Sequence, residues 1–140
     1  MNTTRKRTLK KRSIVREESY GSVRIFWLDR EAALRQIRAA ATRLLRERPE
    51  VVAVYLFGSL AKDRATPRSD ADLLIILRHS PMARWFERGC EYGDYFDEVE
   101  IPCELFCYTL DELPKVPLAR SAMQHALLIA GTPITMEVQR

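Results

Sequence analysis

The chain has 140 residues, of which 46% are hydrophobic and 30% charged, a composition typical of a folded globular protein and a length that suits one domain. No segment approaches the ~18 consecutive apolar residues that a membrane span needs. No apolar segment of signal-peptide type lies near the N-terminus. These features predict a cytoplasmic protein with no membrane partner.

The net charge of +4 is unevenly distributed along the chain. Residues 1–16 contain seven Lys or Arg and no acid, which leaves sixteen bases and nineteen acids, a net charge of −3, in the remainder. A basic run of this kind is typical of a solvated arm. We therefore predict a disordered basic arm over residues 1–21 and one folded domain over residues 22–140. A contact with RNA, a transit peptide and an additional upstream start all fit the arm.

The domain is predicted to begin with a strand and a helix. Ser22–Leu28 is rich in β-branched and aromatic residues, which favours a strand. Asp29 is a good helix N-cap, and Pro49 ends the apolar pattern that follows it. That pattern has helical periodicity, with apolar residues at Ala32, Ala33, Leu34, Ile37, Ala40, Ala41, Leu44 and Leu45.

Further elements follow in chain order. Two apolar runs, Val51–Phe57 and Asp72–Leu77, are typical of strands covered on both faces. The second half predicts a helix around Met82–Tyr92, a strand over Ile101–Tyr108, a turn capped by Thr109, a closing helix over Pro117–Ala130 and a short strand over Ile134–Met136. The fold class is therefore α/β, with strands flanked by helices.

Three features at the ends of these strands indicate chemistry. Gly58-Ser59 directly follows a buried strand, where a glycine permits a sharp turn and the next helical turn directs N–H groups at an anion. Asp70 and Asp72 lie two apart at the start of a strand, so both carboxylates project from one face and favour a hard cation such as Mg²⁺. Glu104 is an acid in an apolar strand and needs a partner. Taken singly, each feature has a plainer explanation. Gly58-Ser59 can be a tight connection, and Glu104 can be an edge-strand charge or the partner of an arginine. For the Asp pair alone, a turn-capping Asp70 and an exposed Asp72 are the favoured explanation.

In combination, the three features resemble the DNA polymerase beta superfamily of nucleotidyltransferases, and its minimal single-domain branch in particular. The stretch FGSLAKDRATPRSDADLLIIL is similar to that family's Gly-Ser, ten residues, Asp-x-Asp signature. CELFCYTLDEL resembles the strand that carries the family's third carboxylate. Two positions depart from the pattern: Asp63 replaces a frequent glycine, and Glu104 replaces the usual Asp.

The resemblance implies a mixed sheet flanked by helices and a set of roles for particular residues. Asp70, Asp72 and Glu104 would be catalytic and would hold two Mg²⁺ ions, while Gly58, Ser59 and Lys62 would contact the phosphates of an NTP, with ATP expected. The expected reaction transfers a nucleoside monophosphate to a protein or RNA acceptor. The resemblance also implies a helical HEPN-type partner in a toxin–antitoxin pair. The alternative is an inactive member of the same fold that neutralises a partner by contact.

Other residues receive plainer interpretations. Arg84 and Arg88 are predicted to lie at the surface, and Trp27, Trp85 and Phe86 in the core. His79 and His125 have no partner at metal-ligand spacing and are assigned no role. The three cysteines, Cys90, Cys103 and Cys107, are predicted to be buried free thiols because their spacing suits neither a zinc site nor a disulfide.

Overall fold

The centre of the fold is a four-stranded mixed sheet. The computed structural model describes residues 14–62 and 69–135. In chain order the elements are β1 (Val15–Tyr20), β2 (Val23–Leu28), α1 (Arg30–Glu47), β3 (Val51–Phe57), β4 (Ala71–Leu77), α2 (Trp85–Tyr92), β5 (Cys103–Thr109), α3 (Pro117–Met123) and β6 (Leu127–Gly131), with short 3₁₀ turns at Gly93–Phe96 and Leu113–Lys115.

The sheet has the strand order β5–β4–β3–β6. β4 and β5 run parallel, while β3 is antiparallel to both of its neighbours. The predicted α/β fold with a mixed sheet flanked by helices is thereby confirmed. Within the described ranges, no helix has both the length and the apolar character needed to cross a membrane.

Helix α1 forms where its periodicity and cap predict it. The side chain of Asp29 accepts a hydrogen bond from the Ala32 amide at 3.1 Å, which satisfies one free donor of the first turn. The apolar stripe of the helix is buried against the sheet at Ala33, Leu34, Ile37, Ala41 and Leu44. Burial of each of the larger side chains stabilises the fold by roughly 1.5–3 kcal/mol.

Strand alternation divides the core between two faces of the sheet. Leu73, Ile75 and Leu77 of β4 pack on the α1 face. Leu74 and Ile76 pack on the opposite face, together with Ala119 of α3. Because side chains alternate along a strand, residues in step with Leu74 project from the α3 face. Helix α1 therefore covers one face of the sheet, and α3 packs on the opposite face.

Strands β1 and β2 form a separate two-stranded antiparallel sheet that turns at Gly21. β1 lies inside the segment 1–21 that the charge pattern predicts to be a disordered arm, so the observed strand begins earlier than that boundary allows. Ladder hydrogen bonds to β2 order β1 although nearly all of its side chains are exposed. Residues 1–13, which hold most of the basic run, lie outside the described residues. Trp27 is 40% exposed on β2, so its prediction as a core residue is wrong.

The C-terminal part also differs from the sequence prediction. The closing helix was predicted over Pro117–Ala130, but α3 ends at Met123 and Leu127–Gly131 forms β6. β6 pairs with β3, and this pairing explains the difference, since an apolar run can be a helix or a strand until its partner is known. The strand predicted over Ile134–Met136 is absent at residues 134–135, and Met136 lies outside the described part.

Candidate active site

Gly58 directly follows β3 and packs against Asp72. Its φ of +82° lies in the left-handed region that favours glycine. A Cβ atom at this position would collide with Oδ2 of Asp72. Two independent constraints therefore require glycine here, and its backbone touches one of the predicted catalytic acids.

A single helical turn follows Gly58. The Lys62 amide is bonded to the Gly58 and Ser59 carbonyls, each at 3.2 Å. Arg30, the first residue of α1, supports this turn by donating to the Leu60 carbonyl at 2.8 Å and to the Ala61 carbonyl at 3.3 Å. The sequence prediction missed Arg30, because nothing in its local sequence distinguishes it from other helix arginines.

Asp72 and Glu104 are direct neighbours on parallel strands. They are register partners across β4 and β5, and the Ala71 amide donates to the Pro102 carbonyl at 2.8 Å at the start of this pairing. Asp72 is in step with Leu74, and Glu104 with Phe106, so both acids project from the α3 face. Phe57, beside Gly58, is the partner of Asp72 on the other side.

The surroundings of Asp72 all shift the pKa of its carboxyl group in the same direction. Burial raises the pKa of the Asp72 carboxyl, and the nearby charges of Glu104 and Asp70 raise it further. A hydrogen bond to Glu104 acts in the same direction. Asp70 is exposed, directly before β4. Next to it, the Ser59 hydroxyl donates to the Ser69 hydroxyl at 3.5 Å, which links the glycine turn to the start of β4.

The chemistry of this donor set fits a hard divalent cation. Carboxylate oxygens are the ligands that Mg²⁺ prefers, and a cation would relieve the repulsion that raises the pKa of Asp72. In residues 14–62 and 69–135, no three acidic, histidine or cysteine side chains already stand at metal-binding spacing. The structure therefore brings Asp72 and Glu104 together, with Asp70 acting on Asp72 through its charge.

Lys62, the third predicted phosphate contact, lies in the turn that follows Gly58. Lys62 is exposed and, together with Gly58, lines a cavity of about 150 Å³ beneath α3. Asp63, which departs from the family pattern, lies outside the described residues.

Arg88 is 2% exposed, so its predicted surface position is wrong. Its guanidinium donates to both carboxylate oxygens of Glu112, at 2.6 and 2.9 Å, and to the carbonyls of Met82 and Cys107. A buried charge is tolerated where it is paired and fully hydrogen-bonded. The sequence offers no sign of this arrangement, because Glu112 lies 24 residues further along the chain.

The aromatic residues near Glu104 are also more exposed than predicted. Trp85 and Phe86 are 37% and 60% exposed, which makes their prediction as core residues wrong. Trp85 stacks on Phe106 with ring centroids 5.9 Å apart and planes 20° from parallel. Phe57 meets Phe106 edge-on at 5.4 Å. These rings lie on the α3 face, on which Asp72 and Glu104 also project.

Comparison with known families identifies the chain. Residues 40–129 match the family described as Polymerase beta, Nucleotidyltransferase, and this range covers more than half of the chain. It belongs to this family. The region of this nucleotidyltransferase that matches the family runs from within α1 to within β6. The glycine turn and all three predicted acids lie inside it.

Solved structures with related folds include a candidate nucleotidyltransferase from Sulfolobus solfataricus. It is 17% identical, aligns with a TM-score of 0.55, and the alignment covers 71% of this nucleotidyltransferase and 80% of the other chain. This likeness supports the fold. A structure described as a toxin–antitoxin with AMP-PNP aligns at a TM-score of 0.46 with 22% identity over 68% of this chain and 73% of that one, and it carries no conclusion here. A search of curated proteins gives no match.

Proposed function

We propose that this nucleotidyltransferase moves a nucleoside monophosphate from an NTP, with ATP the expected donor, to a protein or RNA acceptor. The observation that carries the proposal is the in-register pair Asp72 and Glu104 on one sheet face, with the backbone of Gly58 packed against Asp72. Two adjacent carboxylates beside an anion-accepting turn suit a reaction in which a metal–triphosphate complex meets a hydroxyl group.

One group of residues contacts the phosphates of the NTP, and Glu104 acts on the acceptor. The tight turn at Gly58 lets backbone N–H groups approach phosphate oxygens, and the Ser59 hydroxyl and the Lys62 ammonium add a donor and a positive charge. Glu104 accepts the proton of the attacking acceptor hydroxyl, a role that suits an exposed carboxylate beside Asp72. Binding the phosphates of the donor and the acceptor hydroxyl side by side supplies the positioning on which phosphoryl transfer depends.

Asp70, Asp72 and Glu104 are the residues that would hold Mg²⁺. Two bound ions would lower the pKa of the attacking hydroxyl and neutralise charge on the leaving pyrophosphate. The donor chemistry and the raised pKa of Asp72 support this assignment. A helical HEPN-type protein is the acceptor that the family resemblance favours, in which case the chain acts as an antitoxin that modifies its partner. RNA is the second acceptor, reached through the basic run of residues 1–16.

A labelling experiment tests the activity. The purified chain and its co-purifying partner, or total RNA, are incubated with Mg²⁺ and ATP labelled at either the α- or the γ-phosphate. We expect label from the α-position alone to be transferred. Because metal-assisted charge stabilisation contributes several kcal/mol, Asp72→Asn should lower the rate by about 100-fold or more. Glu104→Gln should lower it by about 10²- to 10⁴-fold.

The matched control is Glu98→Gln, which neutralises an exposed acid away from the pair and should leave transfer unchanged. Transfer of the γ-label would indicate a kinase instead. Binding of ATP without transfer of either label to any acceptor would favour the alternative, an inactive module that neutralises its partner by contact.

A further inference from the structure

A small cavity lies beside the glycine turn, beneath α3. It is an open depression of about 150 Å³, in which Gly58 and Lys62 form one wall, while Leu118, Ser121 and His125 come from α3 and the turn that follows it. Gly58 and Lys62 are two of the residues that the proposed function assigns to the phosphates. Under the proposed function, a triphosphate bound at Gly58 and Lys62 would therefore lie at the edge of this cavity.

The cavity lies on one flank of the acidic pair. Gly58 follows β3, and the sheet order puts β3 on the opposite side of β4 from β5, which carries Glu104. Glu104 faces the acceptor in the proposed reaction. Under the proposed function, the donor nucleotide would therefore be held on the β3 flank.

The lining of the cavity is chemically mixed. Phe57 and Leu118 supply apolar surface, and Ser121 and His125 supply hydroxyl and imidazole groups that donate or accept hydrogen bonds. Neither of these two polar side chains is engaged in a hydrogen bond or ion pair with any other described residue. Flat apolar walls with a few polar groups at the rim are what recognises a nucleobase, which stacks on its faces and hydrogen-bonds along its edge.

The size of the cavity agrees with this chemistry. Sites that enclose whole drug-sized ligands usually have ~300–1,000 Å³. At about 150 Å³, this cavity has room for a single ring system and not for a complete nucleotide. The phosphates would remain outside it, at the Gly58 turn.

We propose that this cavity is the nucleobase subsite of the enzyme, with Ser121 and His125 hydrogen-bonding the edge of the base. The proposal rests on the proposed function and adds to it the residues that select the NTP. It also gives a role to His125, to which the sequence alone assigns none.

Equilibrium binding with two ligands tests the assignment. Dissociation constants are measured in Mg²⁺ for ATP and for inorganic tripolyphosphate, which carries the phosphates and no base. Ser121→Ala and His125→Ala should each weaken ATP binding about 3- to 10-fold, the effect of one hydrogen bond, and leave tripolyphosphate binding unchanged. Lys62→Ala should weaken both ligands. The double variant should also bind ATP, GTP, CTP and UTP with more similar affinities than the wild type.

Controls and contrary results separate the possibilities. Gln124→Ala removes an exposed side chain of the same segment that does not line the cavity, and it should behave as the wild type. Equal weakening of ATP and tripolyphosphate by His125→Ala overturns the base assignment and makes the cavity a phosphate site. Unchanged binding of both ligands in the double variant also overturns it.

The two proposals fail in different ways. If the wild-type enzyme transfers the α-label and the cavity variants behave as wild type, only the subsite is wrong. If the variants lose ATP affinity as expected but the wild type transfers no label, the subsite stands and the transfer activity is wrong. Binding of neither ligand by the wild type overturns both. Because Ser121 and His125 are exposed, we expect their variants to fold as the wild type does, and their melting temperatures check this.

Discussion

At the scale of single residues, Gly58 is the position where backbone and chemistry meet most closely. Gly58→Ala forces a side chain into a left-handed conformation, at a cost of roughly 1–2 kcal/mol, and pushes a methyl group into the Asp72 carboxylate. We expect a melting temperature lowered by several degrees and nucleotidyl transfer reduced at least ~10-fold, because a small displacement of a catalytic group is costly. Thermal unfolding and the labelling assay measure the two effects.

Gly21→Ala is the matched control for this prediction. Gly21 also has a positive φ, +64°, but a Cβ atom there meets nothing within 4 Å. The variant should show the backbone strain alone, with reduced stability and normal transfer. Similar losses of transfer in both variants would contradict the assigned contact between Gly58 and Asp72.

At the scale of elements, the pair Arg88 and Glu112 fastens α2 to the turn that follows β5. Arg88 lies on α2, and Glu112 is held in place by the Thr109 amide, which donates to it at 2.9 Å. The Arg88 guanidinium lowers the pKa of Glu112 from 4.5 to about 2. A carboxyl whose pKa is lowered in the folded state stabilises the fold above its unfolded pKa and loses that contribution as the pH falls.

This ion pair predicts an acid-dependent loss of stability. The contribution of Glu112 should be complete above about pH 5 and decline between pH 4.5 and 2. Linkage gives an upper limit of ~3 kcal/mol, and partial exposure of Glu112 reduces it to about 1–2 kcal/mol. Urea unfolding of the wild type and of Glu112→Gln should therefore differ at pH 7 and converge towards pH 2.

The comparison with Glu112→Gln is necessary because other carboxyl groups, such as those of Asp29 and Glu47, also have lowered pKa values. Glu98→Gln serves as the exposed control and should follow the wild type at each pH. A difference between wild type and Glu112→Gln that is independent of pH would show that Glu112 acts through packing and not through its charge.

Elements whose signal is local were predictable from the sequence, and those that depend on a distant partner were not. β3 has the predicted bounds, Val51–Phe57, and α1 begins after the predicted cap, because an apolar run and a capping Asp are local features. β6 was predicted as helix because its identity depends on pairing with β3. β1 was predicted as disordered because its mostly polar sequence gains order only from β2.

The candidate site follows the same division. The Gly-Ser turn and the acids were recognisable from their motif, and their roles stay predictions until activity is measured. Arg30 and the cavity beneath α3 required the fold, because the chain brings α1 and α3 to the glycine turn from opposite ends of the sequence.

At the scale of the whole molecule, the three cysteines differ in their exposure to solvent. Cys90 on α2 is exposed, contrary to its prediction as a buried thiol, Cys103 is half-buried and Cys107 is buried. Burial raises the pKa of both Cys103 and Cys107 to about 12, so neither forms appreciable thiolate near pH 8. Cys107 belongs to the same core cluster as Ile37 and Leu44 of α1.

These differences predict the order in which the thiols react. At pH 8 without denaturant, iodoacetamide should modify Cys90 alone, and Cys90→Ser should leave the native protein essentially unmodified on that timescale. Because Cys107 is enclosed between β5 and the rest of the core, its modification requires global unfolding. In increasing urea, its modification, followed by mass spectrometry of the peptides, should coincide with the loss of circular dichroism. Modification of Cys107 well before that transition would show that the β5 edge of the sheet opens independently of the core around α1.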